Sequence, residues 1–343
     1  MGMSTLIPPG LLARLGEVPS VGVLRDFVST VGGFSNLSFA ATTEHGVRVV
    51  VKATASDRKR ADLRREQVML KHLEDVEADG FATGVKAPIL LATVDDDWVA
   101  TVLAFIEGEP GLSAVQTREV PGLQIRVTLL ARQLQAVHSA PLPPGKQPEF
   151  AIEDRMRALV PVIETVGLHR AKLAEFVDAV TSPFLSSGLT LVHGDAGLHN
   201  TLWTGPQAHA ATAREPAGRR GLALVPVVEP VRLASLLDWE WTGWGTPLLD
   251  ISWLWWTLRF RHVPSIVFET FADTYGRWAL KSMGWEPERV RTLVCAQMIN
   301  ILTRSDPDSP AFGEWLTRID RLPALRVPDL EEFNANDEDD EPA

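Results

Sequence analysis

The chain has 343 residues, 45% of them hydrophobic and 22% charged, which is enough for a bilobal globular protein with a sizeable core. Its formal net charge is −11, but eight acidic residues and no basic ones occur from Asp329 onward. Residues 1–328 therefore carry 36 acidic and 33 basic residues, a net charge of −3. Such a body disfavours nucleic acid and anionic membranes as partners.

The single cysteine and the lack of targeting signals suit a reducing cytoplasm, which is our expectation for the protein. Because Cys295 is the one cysteine of the sequence, a disulfide framework and a zinc site of several cysteines are excluded. The apolar residues around Cys295 in the sequence favour a packed side chain over a catalytic one. The N-terminus lacks the basic start and apolar centre of a secretory peptide. The most apolar run, 248–258, contains Asp250 and is too short to span a bilayer.

The first third of the chain predicts a small sheet with one helix. Apolar, β-branched runs alternate there with turns rich in glycine or acidic residues. Three adjacent aspartates, Asp95 to Asp97, indicate a solvated turn rather than a metal site. From Glu107 the composition becomes helical, so we place a domain boundary after residue 106. The predicted strands are 28–31, 37–43, 47–53, 87–94 and 98–106, and the predicted helix is 57–76.

A glycine-rich turn connects the first two predicted strands. It reads Gly32-Gly33-Phe34-Ser35-Asn36. Two adjacent glycines let the backbone approach a bound group closely, and Ser35 and Asn36 add hydrogen-bond donors. A plain glycine hairpin explains the same residues, and the turn taken alone favours that alternative.

Lys52 and Glu66 are predicted to form an ion pair. Lys52 ends the apolar run 47–51, where its ammonium group either reaches solvent or needs an anionic partner. Glu66 falls on the leucine stripe of the predicted helix, where an unpaired carboxylate is costly. In kinases such a pair positions the lysine on the phosphates of the nucleotide. The alternative is that Glu66 lies at the edge of the stripe, in water.

Beyond residue 107 the chain is predicted to be mainly helical. A helix at 123–139 carries His138 in its last turn, where a packed or capping histidine is more common than a ligand. The segment 204–232 is rich in Ala, Pro, Gly and Arg, and we assign it no role. The acidic end, 329–343, is predicted to be disordered. Further helices are predicted at 151–165, 169–180, from 248, and at 265–283, 286–303 and 310–321.

The most informative stretch is 191–200, Leu-Val-His-Gly-Asp-Ala-Gly-Leu-His-Asn. A short buried strand leads there into a polar loop that carries Asp195 and Asn200. Phosphoryl transfer uses such a pair, because the aspartate receives or orients the proton of the attacking hydroxyl and the asparagine holds magnesium. A polar turn after a strand is the alternative, since the spacing alone is a loose pattern.

A later strand, 233–237, ends in Asp238, which Trp and Glu follow. We expect this strand to lie beside the first one, so that Asp238 lies at the same end of the sheet as Asp195. Two carboxylates and an amide oxygen suit Mg²⁺, which prefers oxygen ligands. Six of the eleven tryptophans lie between 239 and 256. They either wall a substrate pocket or pack in the core, and packing is the more common case.

The order of these parts along the chain is specific. His-Gly-Asp followed by Asp-Trp-Glu resembles the aminoglycoside phosphotransferase and choline kinase-like superfamily. Protein kinases differ, with His-Arg-Asp and Asp-Phe-Gly at these places. The resemblance covers residues 24–260. It rests on Gly32 to Asn36, Lys52, Glu66, His193-Gly194-Asp195 with Asn200, Asp238-Trp239-Glu240, and Gly245 to Asp250.

The resemblance implies an α+β, bilobal, protein-kinase-like fold. The N-terminal lobe, 1–106 with an N-terminal extension, is implied to hold a five-stranded antiparallel sheet and one helix. A hinge then leads to a larger, mainly helical catalytic and substrate lobe, 107–328, before the tail 329–343. ATP, with GTP as a further possibility, and Mg²⁺ are the implied cofactors.

The resemblance also implies a role for each matched residue. Asp195 is implied to be the catalytic base or hydroxyl-orienting group, with His193 structural and Asp250 bracing the loop. The implied magnesium ligands are Asn200 and Asp238. The implied nucleotide-binding residues are Gly32, Gly33, Ser35 and Asn36, with Lys52 on the α- and β-phosphates, Glu66 holding Lys52, and the backbone from Ala104 to Ile106 pairing with adenine.

Two features depart from the family pattern. Gly245-Thr246-Pro247 stands where Gly-Asp-Pro is usual, which removes an outer carboxylate without touching the chemistry. The segment between Asn200 and Asp238 is longer than usual. Neither departure removes a catalytic part.

The sequence thus predicts an ATP-dependent O-phosphotransferase acting on a hydroxyl of a small molecule, an aminoglycoside or similar aminosugar antibiotic. A metabolic kinase for choline, homoserine, an amino sugar or a macrolide is one alternative, and a nucleotide-binding regulator without catalysis is another. Cationic acceptors need acidic pocket residues. Glu240, Glu269, Asp273 and Glu314 are candidates only by their place in the C-terminal lobe. No nucleic acid or membrane partner is expected, and the oligomeric state is left open.

Overall fold

The computed structural model describes residues 7–30, 37–117, 119–142, 189–205, 230–305 and 308–331, and parts of 151–158. The predicted nucleotide-binding residues Gly32, Gly33, Ser35 and Asn36 lie outside the described residues. So do most of the predicted helices at 151–165 and 169–180, residues 206–229, and residues 332–343 of the tail. Within the described part, no helix is long and apolar enough to cross a membrane.

Five antiparallel strands form the N-terminal sheet, as predicted, in the order β1-β2-β3-β5-β4. Alternation along β3 buries Val49 and Val51 on one face and turns Val50 and Lys52 to the other. Lys52 lies opposite Ser38 of β2 and Thr101 of β5, in the middle of the sheet. The strands are β1 Arg25–Ser29, β2 Leu37–Thr42, β3 Arg48–Thr54, β4 Leu90–Asp95 and β5 Val99–Ala104.

Two helices cover the two faces of this sheet. Helix α1 (Pro9–Gly16) buries Leu11 and Leu15 against the face that carries Val49 and Val51. Helix α2 (Asp57–Ala78) places its apolar stripe towards the larger core of the protein. That core includes Leu103 of β5, so apolar residues from both sides of residue 106 pack together. The proposed division of the chain at residue 106 stays a prediction.

The remainder is mainly helical. Helix α4 packs on α6, and α8 packs on α5. The single helix predicted at 265–283 is broken at Gly276, whose φ of 104° favours glycine. The helices are α3 Gly111–Thr117, α4 Val120–Ser139, α5 Leu248–Phe260, α6 Ser265–Tyr275, α7 Arg277–Ser282, α8 Pro287–Leu302 and α9 Pro310–Arg321.

The described start of the predicted tail, 329–331, contacts the helical lobe. Arg277 of α7 donates a hydrogen bond of 2.9 Å to the carbonyl oxygen of Leu330. Lys281 forms an ion pair of 3.3 Å with Glu331. The first residues assigned to the tail are therefore held against α7.

Five short strands surround the predicted catalytic loop, and their pairing corrects one expectation. The strand before Asp238 does not lie beside the strand before Asp195. Instead β7 pairs with β10 and β9 pairs with β8. The reason is the unpredicted strand β8, which begins just after Asn200 and occupies the place beside β9. These strands are β6 Glu109–Pro110, β7 Thr190–Val192, β8 Thr201–Thr204, β9 Arg232–Leu236 and β10 Gly243–Gly245.

The pairing of β8 with β9 still brings Asp238 close to the loop that carries Asp195 and Asn200. In the antiparallel register Thr201 lies opposite Leu236. The N–H of Leu237 donates a hydrogen bond of 2.7 Å to the carbonyl oxygen of Asn200. Asp238, the next residue, therefore lies beside the loop that carries Asn200.

Candidate active site

Asp250, in the first turn of α5, holds the loop that follows β7. Its buried carboxylate accepts the N–H of His193 at 2.8 Å and that of Gly194 at 2.7 Å. His138 joins Asp250 at 3.0 Å and the hydroxyl of Tyr275 at 2.6 Å. Burial alone raises the pKa of Asp250, but the His138 hydrogen bond and charge and the loop contacts hold that pKa below its usual value. The predictions that Asp250 braces the loop and that His138 is packed are confirmed.

Gly194 lets the loop pass against the segment after Asp238. Its φ is 84°, in the left-handed region that favours glycine. A Cβ atom at this position would lie 2.2 Å from the carbonyl oxygen of Trp241. The glycine of the His-Gly-Asp motif is therefore required by both backbone conformation and space.

His193 is a structural residue, as expected. Its Nε2 lies 2.9 Å from the carbonyl oxygen of Leu237, so Nε2 carries the proton and donates. Its Nδ1 then accepts the N–H of Asp195 at 3.3 Å. Burial lowers the pKa of His193, in keeping with a neutral ring that links the two aspartate motifs.

The carboxylate of Asp195 has three hydrogen-bonding neighbours and is 19% exposed. Asn200 donates from Nδ2 to Oδ2 at 2.9 Å and to the carbonyl oxygen of Asp195 at 3.0 Å. Trp253 donates from Nε1 to Oδ1 at 2.6 Å, and His199 Nε2 lies 3.3 Å from the same oxygen. Because a carboxylate offers about four lone-pair positions, room remains for one further donor such as a hydroxyl.

Trp253 and His199 were not predicted to contact Asp195. Trp253 follows Asp250 by three residues and so shares a face of α5 with it. That spacing is the sequence signal for Trp253, once Asp250 is placed at the loop. His199 reaches Asp195 through the short 3₁₀ helix Leu198–Asn200.

Lys52 lies among three carboxylates. Its Nζ is 2.9 Å and 3.1 Å from the two oxygens of Glu66, 2.8 Å from Asp238 and 2.8 Å from Glu240. Glu66 is fully buried, which excludes the alternative of a solvated carboxylate and confirms the predicted pair. The contact with Glu240 was not predicted, since Glu240 was considered only as a substrate-lobe acid.

The electrostatics of this cluster follow from burial and crowding. Burial lowers the pKa of Lys52, but the three carboxylates outweigh it and raise that pKa well above its usual value. Burial raises the pKa of Glu66, and Lys52 offsets this only in part. Burial, reinforced by Asp238 and Glu66 and opposed by Lys52, raises the pKa of Glu240 to about 8. Burial raises the pKa of Asp238, but the charge and hydrogen bond of Lys52, together with His193 and His199, outweigh it and lower that pKa below its usual value.

The donor set around Asp238 fits a magnesium ion. Asp238 is the most exposed of the three carboxylates, with 35% of its side chain accessible. Asn200 uses only Nδ2 in its two side-chain hydrogen bonds, which leaves Oδ1 as a possible ligand. The described residues contain no group of three or more His, Cys, Asp or Glu placed to hold a metal. Mg²⁺ does not need one, because it takes one or two protein oxygens together with phosphate and water.

Part of the predicted adenine-binding segment, Ala104 to Ile106, already uses its backbone N–H groups in hydrogen bonds within the protein. The N–H of Ala104 donates to the carbonyl oxygen of Ile89 at 3.0 Å, and that of Phe105 donates to Arg48 at 3.1 Å. Hydrogen bonding of Ala104 to adenine is therefore limited to its carbonyl group. The N–H of Ile106 has no backbone partner within the described segments.

The four acidic candidates for substrate binding are engaged elsewhere. Glu240 contacts Lys52, and Glu314 pairs with Arg318 at 3.1 Å. Asp273 pairs with Arg277, and Glu269 lies close enough to raise the pKa of that arginine as well.

Most of the tryptophans between 239 and 256 are core residues, so the packing interpretation holds for them. Trp239, Trp244 and Trp255 are buried. Trp253 and Trp256 are buried too, but their rings form a stack, with centroids 4.7 Å apart, that starts at the Asp195 carboxylate. Partly exposed Trp315 of α9 lies 5.8 Å from Trp256, measured between ring centroids.

Known proteins were compared with this chain by sequence and by structure. A search of curated protein sequences finds no match. One similar solved structure is a thermostable mutant of aminoglycoside phosphotransferase APH(4)-Ia in ternary complex with AMP-PNP and hygromycin B. The two chains are 14% identical, the comparison covers 92% of this chain and 98% of that chain, and the TM-score is 0.58. Another is aminoglycoside-3'-phosphotransferase of type VIII, with 17% identity, coverage of 84% and 97%, and a TM-score of 0.56. A third is the macrolide 2'-phosphotransferase MphH from Brachybacterium faecium, with 16% identity, coverage of 91% and 98%, and a TM-score of 0.51.

At these identities the structures show the shared fold, and the family is shown by the sequence itself. The model of the APH phosphotransferase enzyme family matches residues 28–211, more than half of the chain. The match spans Lys52, Glu66, Asp195 and Asn200. The protein is therefore a phosphotransferase that belongs to the APH phosphotransferase enzyme family.

Proposed function

We propose that the protein is an ATP-dependent kinase that phosphorylates a hydroxyl group of a small molecule. The observation that supports this most directly is the environment of Asp195. Its partly exposed carboxylate is oriented by Asn200 and Trp253, on a loop whose backbone is fixed by Asp250. A carboxylate so held is placed to receive a proton from a hydroxyl donor.

The proposed reaction is direct phosphoryl transfer. The acceptor oxygen attacks the γ-phosphorus of ATP, the bond to the bridging oxygen breaks, and ADP leaves while Asp195 takes the hydroxyl proton. Lys52, held by Glu66, exchanges one of its carboxylate contacts for the α- and β-phosphates. Mg²⁺, held by Asn200 and Asp238, would supply charge neutralisation of the phosphates.

For the acceptor, an aminoglycoside or similar aminosugar antibiotic is the first candidate. The support is the family match and the similarity of the fold to solved aminoglycoside phosphotransferases. Asp273 and Glu314 would have to exchange their present ion pairs with arginine for the ammonium groups of such a polyamine.

A less charged acceptor, such as a macrolide, is a second candidate that two observations favour. The four acidic candidates are engaged, and the tryptophan stack from Trp253 to Trp315 starts at Asp195 and ends in a partly exposed ring. Aromatic faces suit apolar or sugar rings. One of the similar structures is a macrolide 2'-phosphotransferase.

The test is ADP release coupled to NADH oxidation, with ATP, Mg²⁺ and a panel of aminoglycosides, amino sugars, macrolides and small amino alcohols. We expect ADP release that depends on both the acceptor and Mg²⁺. The phosphorylated acceptor, identified by mass spectrometry, assigns the class. A folded protein that transfers phosphate to no member of the panel, yet binds ATP, would favour the regulator without catalysis.

A further inference from the structure

Three arginines from separate parts of the chain converge on the peptide segment Glu240–Trp241. Arg65 of α2 donates from Nη1 to the carbonyl oxygen of Glu240 at 2.6 Å. Arg155 donates from Nη2 to the carbonyl oxygen of Trp241 at 2.8 Å. The guanidinium carbon of Arg304, just after α8, lies 4.4 Å from the centre of the Trp241 ring. We call Arg65, Arg155 and Arg304 the arginine cluster.

The arginine cluster contains more positive than negative charge. Asp62 forms ion pairs of 3.0 Å with both Arg65 and Arg304, through its two carboxylate oxygens. Within the described segments no other carboxylate forms an ion pair with the arginine cluster. Among the described residues, one carboxylate is thus in direct ion-pair contact with two of the three guanidinium groups, while Glu240 and Asp195 act on Arg304 from further away.

The arginine cluster also has buried donors without acceptors. Arg65 is only 8% exposed, and its Nε is buried without a hydrogen-bond partner. Nη1 of Arg155 is likewise buried without a hydrogen-bond partner. Burial, together with repulsion from Arg65 and Arg304, lowers the pKa of Arg155 well below its usual value. Buried guanidinium N–H groups that lack acceptors are costly, so a bound acceptor would stabilise this arrangement.

Part of the arginine cluster is open to solvent. The side chain of Arg304 is 22% exposed, and Arg155 is partly exposed. Guanidinium groups bind phosphate oxygens in pairs, with a geometry that matches the planar fork. A phosphate group carries close to two negative charges at neutral pH, which would offset the excess of guanidinium groups in direct contact here.

We propose that the arginine cluster binds a phosphate group, separately from the nucleotide phosphates at Lys52. Arg65 directly precedes Glu66 on α2 and holds the carbonyl group of Glu240, whose carboxylate contacts Lys52. A phosphate there therefore joins α2 to the end of α8 and stabilises the position of α2 that pairs Glu66 with Lys52. The phosphate group comes either from inorganic phosphate or from a phosphorylated metabolite.

Thermal unfolding of the full chain tests this proposal without reference to catalysis. The probe is sodium phosphate, with sodium chloride of equal ionic strength as the reference. We expect phosphate to raise the Tm of the wild type and Arg155→Gln to lose most of that rise. Exposed Arg157, two residues further along, supplies the matched control, and Arg157→Gln should keep the full rise.

The variant is chosen so that misfolding does not imitate the result. Because Arg155→Gln removes one of three like charges but also the hydrogen bond to the carbonyl oxygen of Trp241, its Tm without phosphate is measured first, and the rise caused by phosphate is taken relative to that value. No phosphate-induced rise in the wild type, or an equal rise in Arg155→Gln, would overturn the proposal. The second outcome would place the phosphate at the nucleotide site instead.

A second arm separates the two sources of the phosphate group. Glucose 6-phosphate is titrated beside inorganic phosphate, again with wild type and Arg155→Gln. A larger Arg155-dependent rise with the sugar phosphate supports a phosphorylated metabolite, and a larger rise with inorganic phosphate supports the free ion. If neither compound gives a rise that depends on Arg155, the arginine cluster is not a phosphate site.

Discussion

The indole Nε1 of Trp253 donates a hydrogen bond to Oδ1 of Asp195, with 2.6 Å between the two atoms. Its ring stacks on Trp256 at a centroid distance of 4.7 Å, which fixes the indole plane and hence the direction of the N–H group. This geometry predicts that Trp253 acts as a positioning residue for the proposed catalytic carboxylate.

Trp253→Phe tests this positioning role, because phenylalanine keeps an aromatic ring in the stack and removes the N–H donor. We expect kcat to fall by roughly tenfold to a hundredfold, since small misplacement of a reacting group is costly. The KM for ATP should change little. Steady-state kinetics with the acceptor identified in the panel measure both.

Trp256→Phe is the matched control, because it changes the same stack without touching Asp195. If both variants lose activity equally, the loss reflects packing rather than the hydrogen bond. Retention of the full kcat in Trp253→Phe would likewise contradict the positioning role.

Glu240 makes the stability of the protein depend on pH. Burial raises its pKa to about 8 in the folded chain, from the 4.5 of an ordinary glutamate. Between these pH values the folded state holds a proton that the unfolded state has released, so stability falls as pH rises. We expect the Tm of the wild type to fall between about pH 6 and about pH 8, and that of Glu240→Gln to fall less, because glutamine stays neutral.

Glu314→Gln is the control for this prediction, since Glu314 lies on an exposed helix face and pairs with Arg318. It should show the same dependence of Tm on pH as the wild type. Differential scanning calorimetry in matched buffers measures each slope. An equally steep fall in Glu240→Gln would show that other groups cause the pH dependence.

Gly194→Ala tests the close approach of the catalytic loop to Trp241. The alanine meets a φ of 84° and a carbonyl oxygen 2.2 Å from its Cβ. We expect a loss of at least about 1–2 kcal/mol in the free energy of unfolding from the left-handed conformation alone. The clash adds to it. Urea denaturation measures the change.

Gly313→Ala is the comparison, because a Cβ atom at that position in α9 meets nothing within 4 Å. An exposed glycine within a helix costs about 0.5–1 kcal/mol relative to alanine, so this change should stabilise the protein. If Gly194→Ala proved as harmless, the loop would have to adopt a different path past Trp241.

Local patterns in the sequence predict the N-terminal lobe well. Alternation in β3 and the leucine stripe of α2 place Lys52 and Glu66 on facing surfaces, and their pair follows from the cost of burying either charge alone. Asp250 could be assigned to the loop only through the family resemblance. Its hydrogen bonds to His193 and Gly194 then confirm that assignment.

Features that depend on distant pairing could not be predicted in this way. Strand β8 has four residues, too few for a periodic pattern, so its place beside β9 stayed hidden. Trp253 and Asp195 are 58 positions apart, and Arg65 and Glu240 are 175 apart. Such contacts depend on how the helices pack, and the spacing of Trp253 from Asp250 indicates the first of them only once Asp250 has been placed at the loop.

The most direct test of the account is phosphate transfer by Asp195→Ala, with the acceptor that the wild type phosphorylates and ATP labelled in its γ-phosphate. The account predicts that the wild type forms labelled acceptor and ADP in equal amounts. The variant should transfer about 10²- to 10⁴-fold more slowly while still binding ATP, because it lacks the proposed general base. Transfer by Asp195→Ala at the wild-type rate would contradict the central claim.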